Sequence, residues 1–460
     1  MYRIEADILI PGRGAPIEDG CVITEGGTIT YAGPCDAAPP SPMAAVSRVP
    51  VVMPGMWDAH THFTGLTTPD LGNLVKTPQA LAAARSVRDA EAALMAGFTS
   101  VREAGGYGIY LARAVEEGSI LGPTIYSAGA ILSTTGGHGD LHSYPLDWLT
   151  GYGASGGMLE LCDGVPECLK ATRKQLRRNA RVIKVCASGG VLSEVDHPIH
   201  QQFSLEELRT IVEEAARADR VVMAHCHGKP GIKAALDAGV ATIEHGTHLD
   251  EETAAQMKEQ GAVLVPTRFI VERLLAGGRQ AGAAEYAMRK LEAMADRHLQ
   301  AMALAHEAGV TIALGTDMAT SGPNSAVPWG ANAEEVIYLA RAGMSPLEVI
   351  EAATFTGPTT LGPQAPASGL LADGYDADII AVDSNPLDDV TVLAHPTNIT
   401  HVWKAGNLVK NPSRRAERSS ARTWYLVPGG FAQPVFGSRF WVFGRNLALR
   451  PHAAARPCSC

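Results

Sequence analysis

The chain has 460 residues, of which 46% are hydrophobic and 19% charged, and a formal net charge of -10. That composition excludes disordered, collagenous and fibrous classes, and the acidic balance argues against a nucleic-acid surface, which carries a basic excess. No segment reaches the ~18 consecutive apolar residues of a membrane span, so neither nucleic acid nor membrane is expected as a partner.

Met1 to Gly12 carries Glu5 and Asp7 where a secretory leader has a basic and then an apolar run, so a cytoplasmic location is expected. Three short β-like runs follow in the first 50 residues: Asp7–Ile10, Cys21–Thr24 and Thr28–Tyr31. Gly and Pro punctuate them, as in short antiparallel strands. The middle of the chain then alternates strand-like and helix-like stretches. The strand candidates are Val51–Trp57, Thr99–Glu103, Thr124–Ala130, Val182–Ala187, Val221–His225, Ala241–His245, Ala262–Pro266 and Thr311–Gly315. Helical segments such as Gln79–Ala96, Ser204–Ala218 and Ala283–Ala308 lie between them, and Ser204 with Glu207 forms a capping-box start.

Eight strand–helix units in one run make an α/β protein of the (β/α)8 TIM-barrel class. The strands are mostly continuous apolar runs, as strands buried on both faces are, and no Gly-x-Gly-x-x-Gly sits at a first strand–helix turn, as the rival doubly wound sheet would have it. After the barrel come two more β-like runs, Ala377–Val382 and Ile399–Trp403. Neither end segment is long enough to bury a face alone. Residues 1–51 and 371–410 are therefore expected to form one small β-domain, with the barrel, 52–370, inserted between them. Residues 411–460 form a tail without a clear pattern. Eight scattered cysteines (21, 35, 162, 168, 186, 226, 458 and 460) lack Cys-x-x-Cys pairing and read as reduced, mostly buried thiols.

In a parallel barrel the chemistry sits at the C-terminal ends of the strands. The first strand leads into Asp58-Ala59-His60-Thr61-His62. Histidines two apart on extended chain share a face, so both imidazoles can reach one metal. The fourth carries Lys184 inside the apolar run Val182–Ala187. An ion-paired lysine is the plainer reading. A desolvated lysine, however, has a depressed pKa, and its neutral amine can take up carbon dioxide to give a carbamate able to bridge two metals. The fifth and sixth strands end at His225 and His245, followed by His227 and His248, which can serve as substrate contacts or as ordinary loop residues. The eighth ends in Gly315-Thr316-Asp317, a carboxylate able to bind metal and accept a proton from water. Each signal alone is modest; five of them at the same end of one barrel are not a chance arrangement.

The set His60, His62, Lys184, His225, His245 and Asp317 resembles the amidohydrolase superfamily. Met53–His62 is similar to its opening signature, and Gly374–Asp378 with Asn385-Pro386-Leu387 to its closing one. Ile183-Lys184-Val185, Ala187–Gly190 and Thr135–Gly139 resemble the prolidase and carboxypeptidase-like branch, near which ochratoxin-hydrolysing amidases lie. The resemblance covers about residues 1–410.

The resemblance implies two divalent metals, zinc foremost. His60, His62 and Asp317 would hold one, His225 and His245 the other, with carboxylated Lys184 and a hydroxide bridging them. The hydroxide attacks the amide carbon while Asp317 moves the proton to the leaving nitrogen. His138, on the Gly-rich loop, is a candidate for orienting the carbonyl. His227, His248 and Arg268 are candidate substrate contacts, Arg268 as the cation for a free carboxylate. Ser133–Val165 would be a loop at the barrel mouth. The expected substrate is a small amide: a dipeptide, an N-acyl amino acid or an ochratoxin-like aryl amide. A homo-oligomer is the expected assembly. The alternatives are a one-metal deaminase or cyclic-amide hydrolase, and a catalytically inactive scaffold.

Overall fold

The structure, a computed structural model, is described for residues 1–322 and 324–412; of the expected tail, everything from residue 413 on, with Cys458 and Cys460, lies outside the described residues. The first four strands are β1 (Tyr2–Leu9), β2 (Ile17–Glu25), β3 (Thr28–Pro34) and β4 (Ala45–Pro54). Glu25 pairs with Thr28 across Gly26-Gly27, whose φ values of 58° and 90° are the positive angles that a two-residue hairpin turn demands and glycine adopts freely.

The barrel strands follow: β5 (Met56–Leu66), β6 (Phe98–Glu103), β7 (Thr124–Ser127), β8 (Ile131–Ser133), β9 (Leu159–Leu161), β10 (Ile183–Cys186), β11 (Val222–Cys226), β12 (Thr242–His245), β13 (Val263–Val265) and β14 (Met318–Thr320). Last come β15 (Ile379–Val382), β16 (Ile399–Lys404) and β17 (Asn407–Lys410). The two chain ends share a seven-stranded sheet in the order β17-β16-β15-β4-β1-β2-β3, with β4 antiparallel to β15 at Met53–Ile380. Ile4, Leu9, Val22, Val52, Ile379 and Trp403 pack one cluster against it.

The remaining strands form a four-stranded sheet (β14-β5-β6-β7) and a six-stranded one (β13-β12-β11-β10-β8-β9). Together they make the TIM barrel. The third stave is broken into β7 and β8 around Gly129 (φ 76°), and Arg181 N donates to Ser127 O at 2.8 Å to join the halves to the fourth. The eighth stave is Thr311–Leu314: Leu264 N donates to Thr311 O (2.9 Å) on one side, and Ala59 N to Leu314 O (2.8 Å) on the other.

Helices sheathe the barrel. Leu205–Ala216 is representative: its capping box, Ser204 with Glu207, forms as expected and buries Leu208, Ile211 and Ala215 on one face. Losing such a cap costs about 0.5–2 kcal/mol, and each buried aliphatic side chain contributes roughly 1.5–3 kcal/mol.

Two expectations need correction. The first barrel strand is not Val51–Trp57, because that stretch spans two strands: β4 ends at Pro54 and β5 begins at Met56. Gly55 makes the passage, and a Cβ there would lie 2.2 Å from the Thr99 hydroxyl. His60 and His62 consequently lie within β5, buried along its whole length, and not after it. The third strand likewise stops at Ser127 and resumes at Ile131. Within Ser133–Val165 the structure forms a helix, Leu146–Ala154, and β9, which pairs with β8. Among the described residues no helix is long and apolar enough to cross a membrane, and the six described cysteines are free thiols.

Candidate metal centre

The strand ends converge on a cleft of about 1060 Å³ that opens to solvent. His60, His62, His138, Lys184, His225, His227, His245 and Asp317 all line it. Each histidine is held through one ring nitrogen, which orients the other. His60 Nδ1 meets Glu244 Oε2 at 2.6 Å, and His62 Nδ1 meets the Gly105 carbonyl at 2.7 Å. His245 Nδ1 is bound by Thr267 Oγ1 at 2.7 Å and His227 Nδ1 by Thr247 Oγ1 at 2.8 Å. His225 is held the other way round, through Nε2 to Gly189 O at 3.0 Å, leaving Nδ1. Anchoring one nitrogen to a protein acceptor is how metal-ligating histidines are pre-set in tautomer and direction.

Asp317 Oδ1 lies 3.2 Å from His62 Nε2 and 3.5 Å from His60 Nε2. The ligand atoms of His60, His245 and Asp317 lie within 4.8 Å of one another, and so do those of His225, His227 and His245. His227, expected as a substrate contact, is thus equally placed as a ligand. Lys184, 2% exposed, projects into the same cleft and makes no hydrogen bond or ion pair among the described residues. The donor set of imidazole nitrogens, a carboxylate and an amine suits divalent zinc and its neighbours.

Burial governs the protonation states. It pushes His60 and His138 down to about 4, and drives His225, His227 and His245 well below the usual histidine range, helped by neighbouring imidazoles. Neutral imidazoles are the form that binds metal. Burial also lowers Lys184, against the pull of Glu244, Cys186 and Asp317. For Asp317 and Glu244 burial works upward but loses: the hydrogen bond from His62 holds Asp317 at about 2, and Arg102 holds Glu244 at about 2.

A layer of residues behind the ligands went unnoticed in the sequence. Glu244, which orients His60, accepts two bonds from Arg102 Nη2 (2.9 and 3.0 Å) and a third from Thr242. Asp58 ties β5 to the segment after the eighth stave. It accepts from His60 N and Thr316 N (both 3.1 Å), Thr316 Oγ1 (2.6 Å) and Asn332 Nδ2 (2.8 Å). The available signal was a charged residue inside an apolar strand, the same one that singled out Lys184. His245, Thr267 and Asp317, at the ends of the sixth, seventh and eighth staves, have φ of 68°, 58° and 59°. Each such left-handed non-glycine residue costs on the order of 1–3 kcal/mol, a strain that concentrates at functional sites.

Two expected substrate contacts are not brought to the cleft. Arg268 is buried, with Nε and Nη2 on Glu272 Oε1 (3.0 and 2.7 Å) and Nη1 on the Ala295 carbonyl. Its guanidinium is already taken up by protein acceptors, as a buried charge must be, and it does not line the cleft. His248 is half-buried, bonds through its backbone to His227 O (2.8 Å), and also lies outside the lining. The cleft walls are aliphatic instead: Leu71, Leu74, Leu192, Ile270, Leu274 and Met294.

The amidohydrolase family profile matches residues 51–409. The chain is 44% identical over 437 residues to the ochratoxinase of Aspergillus niger, covering 92% of this chain and 89% of that one. The crystal structure of A. niger ochratoxinase superimposes with a TM-score of 0.82, covering 89% of this chain and 96% of that one. A prolidase complexed with N-methylphosphonate-L-proline is similar at 32% identity and a TM-score of 0.82, covering 89% and 99%. A Xaa-Pro dipeptidase with bound methionine follows at 28% and 0.78, covering 89% and 100%. With a converging ligand set inside a TIM barrel and these relatives, the chain belongs to the amidohydrolase family, enzymes that hydrolyse carbon–nitrogen bonds.

Proposed function

We propose that this protein is a two-metal amidase acting on apolar N-acyl or aryl amides of amino acids, with Lys184 carboxylated in the active state. The observation that carries the reading is Lys184: a buried amine with no hydrogen bond or ion pair among the described residues, lining the same cleft as two groups of metal-type donors. Its neutral amine and carbon dioxide would give a carbamate and one proton, converting an amine into an anionic ligand. His60, His62 and Asp317 would hold one ion and His225 and His245 the other, with His227 beside the second.

Two divalent ions held there, zinc foremost, would supply a water of lowered pKa and a Lewis acid for the substrate carbonyl. Asp317, ionised with a pKa of about 2, accepts a proton from the attacking water and delivers it to the leaving nitrogen. His138 is held through Nδ1 by Ser193 Oγ at 2.8 Å and stacks on His225 with ring centroids 4.3 Å apart. Its Nε2 is the edge of the ring left to meet the carbonyl oxygen as negative charge develops there. The walls support the choice of substrate. Burying ~100 Å² of apolar surface is worth about 2.5 kcal/mol, so aliphatic walls favour an aryl or large acyl arm over a small polar dipeptide. The names of the relatives, ochratoxinase and prolidase, lie within this range of bonds.

The test joins metal analysis to a screen of N-acyl amino acids, dipeptides and ochratoxin A. Two ions per chain and fastest turnover of the aryl amide are expected. One ion per chain would favour a deaminase or cyclic-amide hydrolase, and a two-metal form inert toward every amide would end the substrate assignment.

A further inference from the structure

Lys290 lies on the helix Glu285–Ala308, outside the ring of ligands, and its ammonium is fully engaged by one loop. Nζ donates to the carbonyls of Gly190 (3.2 Å), Ser193 (2.7 Å) and Asp196 (2.5 Å). Three donors meet three carbonyls within seven residues, which closes the loop around the lysine. The rest of the loop is built onto the same frame. Asp196 Oδ2 accepts from Gly190 N (2.8 Å) and Gln202 Nε2 (3.2 Å), and Gln202 Oε1 accepts from the His138 backbone N–H (3.0 Å). Gly190 lies against the His138 ring so closely that a Cβ would fall 2.1 Å from Nδ1.

The loop also supplies the partner of His138 Nδ1. Ser193 Oγ has one proton and two acceptors in reach: His138 Nδ1 at 2.8 Å and the Gly190 carbonyl at 3.4 Å. Lys290 already takes one of the two lone pairs of that carbonyl, and the serine lies nearer to Nδ1. The serine proton is then best placed on Nδ1, which leaves the imidazole proton on Nε2. A neutral histidine donates from only one nitrogen, and the bond made by the other selects which. We infer that Lys290 is a positioning residue for catalysis: by occupying the Gly190 carbonyl and holding the 190–196 loop, it sets His138 as an Nε2–H donor toward the cleft.

This inference rests on the assignment of His138 to the substrate carbonyl, so the experiment separates the two. Lys290→Met keeps the aliphatic stem and removes the donors; it is measured alone and combined with His138→Ala, alongside metal content. Turnover (kcat) of an N-acyl amino acid is expected to fall about tenfold in Lys290→Met, the scale of one net hydrogen bond. KM should move less than threefold and metal content stay unchanged. In the His138→Ala background the same substitution should change kcat less than twofold, because interacting residues are non-additive. Equal losses in both backgrounds would make Lys290 merely structural and overturn the inference, as would no loss in the first. A fully active His138→Ala enzyme would instead overturn the role of His138 itself. Ser193→Ala leaves the lysine clamp intact and should reproduce the loss in kcat; unchanged kcat there would overturn the tautomer argument even if Lys290→Met did not fold.

Discussion

Two cations are buried inside the same barrel with opposite surroundings. Arg102, on the second stave, donates to the Ala59 carbonyl (2.6 Å), Thr242 Oγ1 (3.0 Å) and both oxygens of Glu244. Lys184, on the fourth, has no such partner among the described residues. One charge is matched in place, as a buried ion pair requires. The other is left unmatched where burial works against its proton. Both sit in strands buried along their whole length, so sequence position alone does not separate them. What separates them is satisfaction: the matched cation builds the frame behind His60, and Lys184 has no hydrogen bond or ion pair among the described residues.

Replacing Lys184 by Ala attacks the comparison on its reactive side. Loss of two-metal loading and a fall in kcat/KM of at least about 10³-fold are expected, comparable to removing a principal catalytic stabiliser. Elemental analysis with steady-state kinetics checks this, and full activity with two bound ions would contradict the assignment. Arg102→Met attacks the structural side. It strands the Glu244 carboxylate in the barrel, and a loss of about 3–5 kcal/mol is expected, as when one partner of a buried pair is removed. Urea unfolding checks it; a change within 1 kcal/mol would mean that Glu244 finds another partner.

The smallest effect concerns the neutral imidazoles around Lys184. In metal-free protein His60 and His138 titrate near 4, against an ordinary 6.5 in the unfolded chain. Between pH 6.5 and 4 the unfolded chain therefore takes up protons that the folded one does not, and stability falls as pH falls through that window. Asp58 works in the opposite sense, since burial raises it to about 6 from 3.8. Its contribution is full below the unfolded value and lost as pH rises through 6. A net loss on the order of 1 kcal/mol from pH 7 to pH 5 is expected, and a rising urea midpoint over that range would contradict it.

Much of this was legible in the residues themselves. Staves four to seven lie within a residue or two of their expected places, because apolar β-branched runs bounded by turns are local signals. The residues that line the cleft could be picked out because a parallel barrel gathers its strands' C-terminal halves at one mouth. The first stave was misplaced because Val51–Trp57 is apolar throughout, and hydrophobic pattern does not distinguish a strand of the outer sheet from one of the barrel. Arg268 was misassigned for a related reason. A lone arginine after a strand reads as available, and Glu272 and the Ala295 carbonyl engage it only once the helices are in place.

By itself, then, the sequence determined the barrel, which follows from short-range periodicity, and carried the motifs by which it resembles one family, with their His, Lys and Asp residues on the barrel strands. Only the tertiary structure decided which nitrogen of each imidazole is held by the protein, that His227 lies with His225 and His245, and that Ser193 meets His138. Those choices are made by hydrogen bonds to residues distant in the chain: 184 positions separate His60 from Glu244, and 55 separate His138 from Ser193. Folding must bring such pairs together before either partner has a defined role.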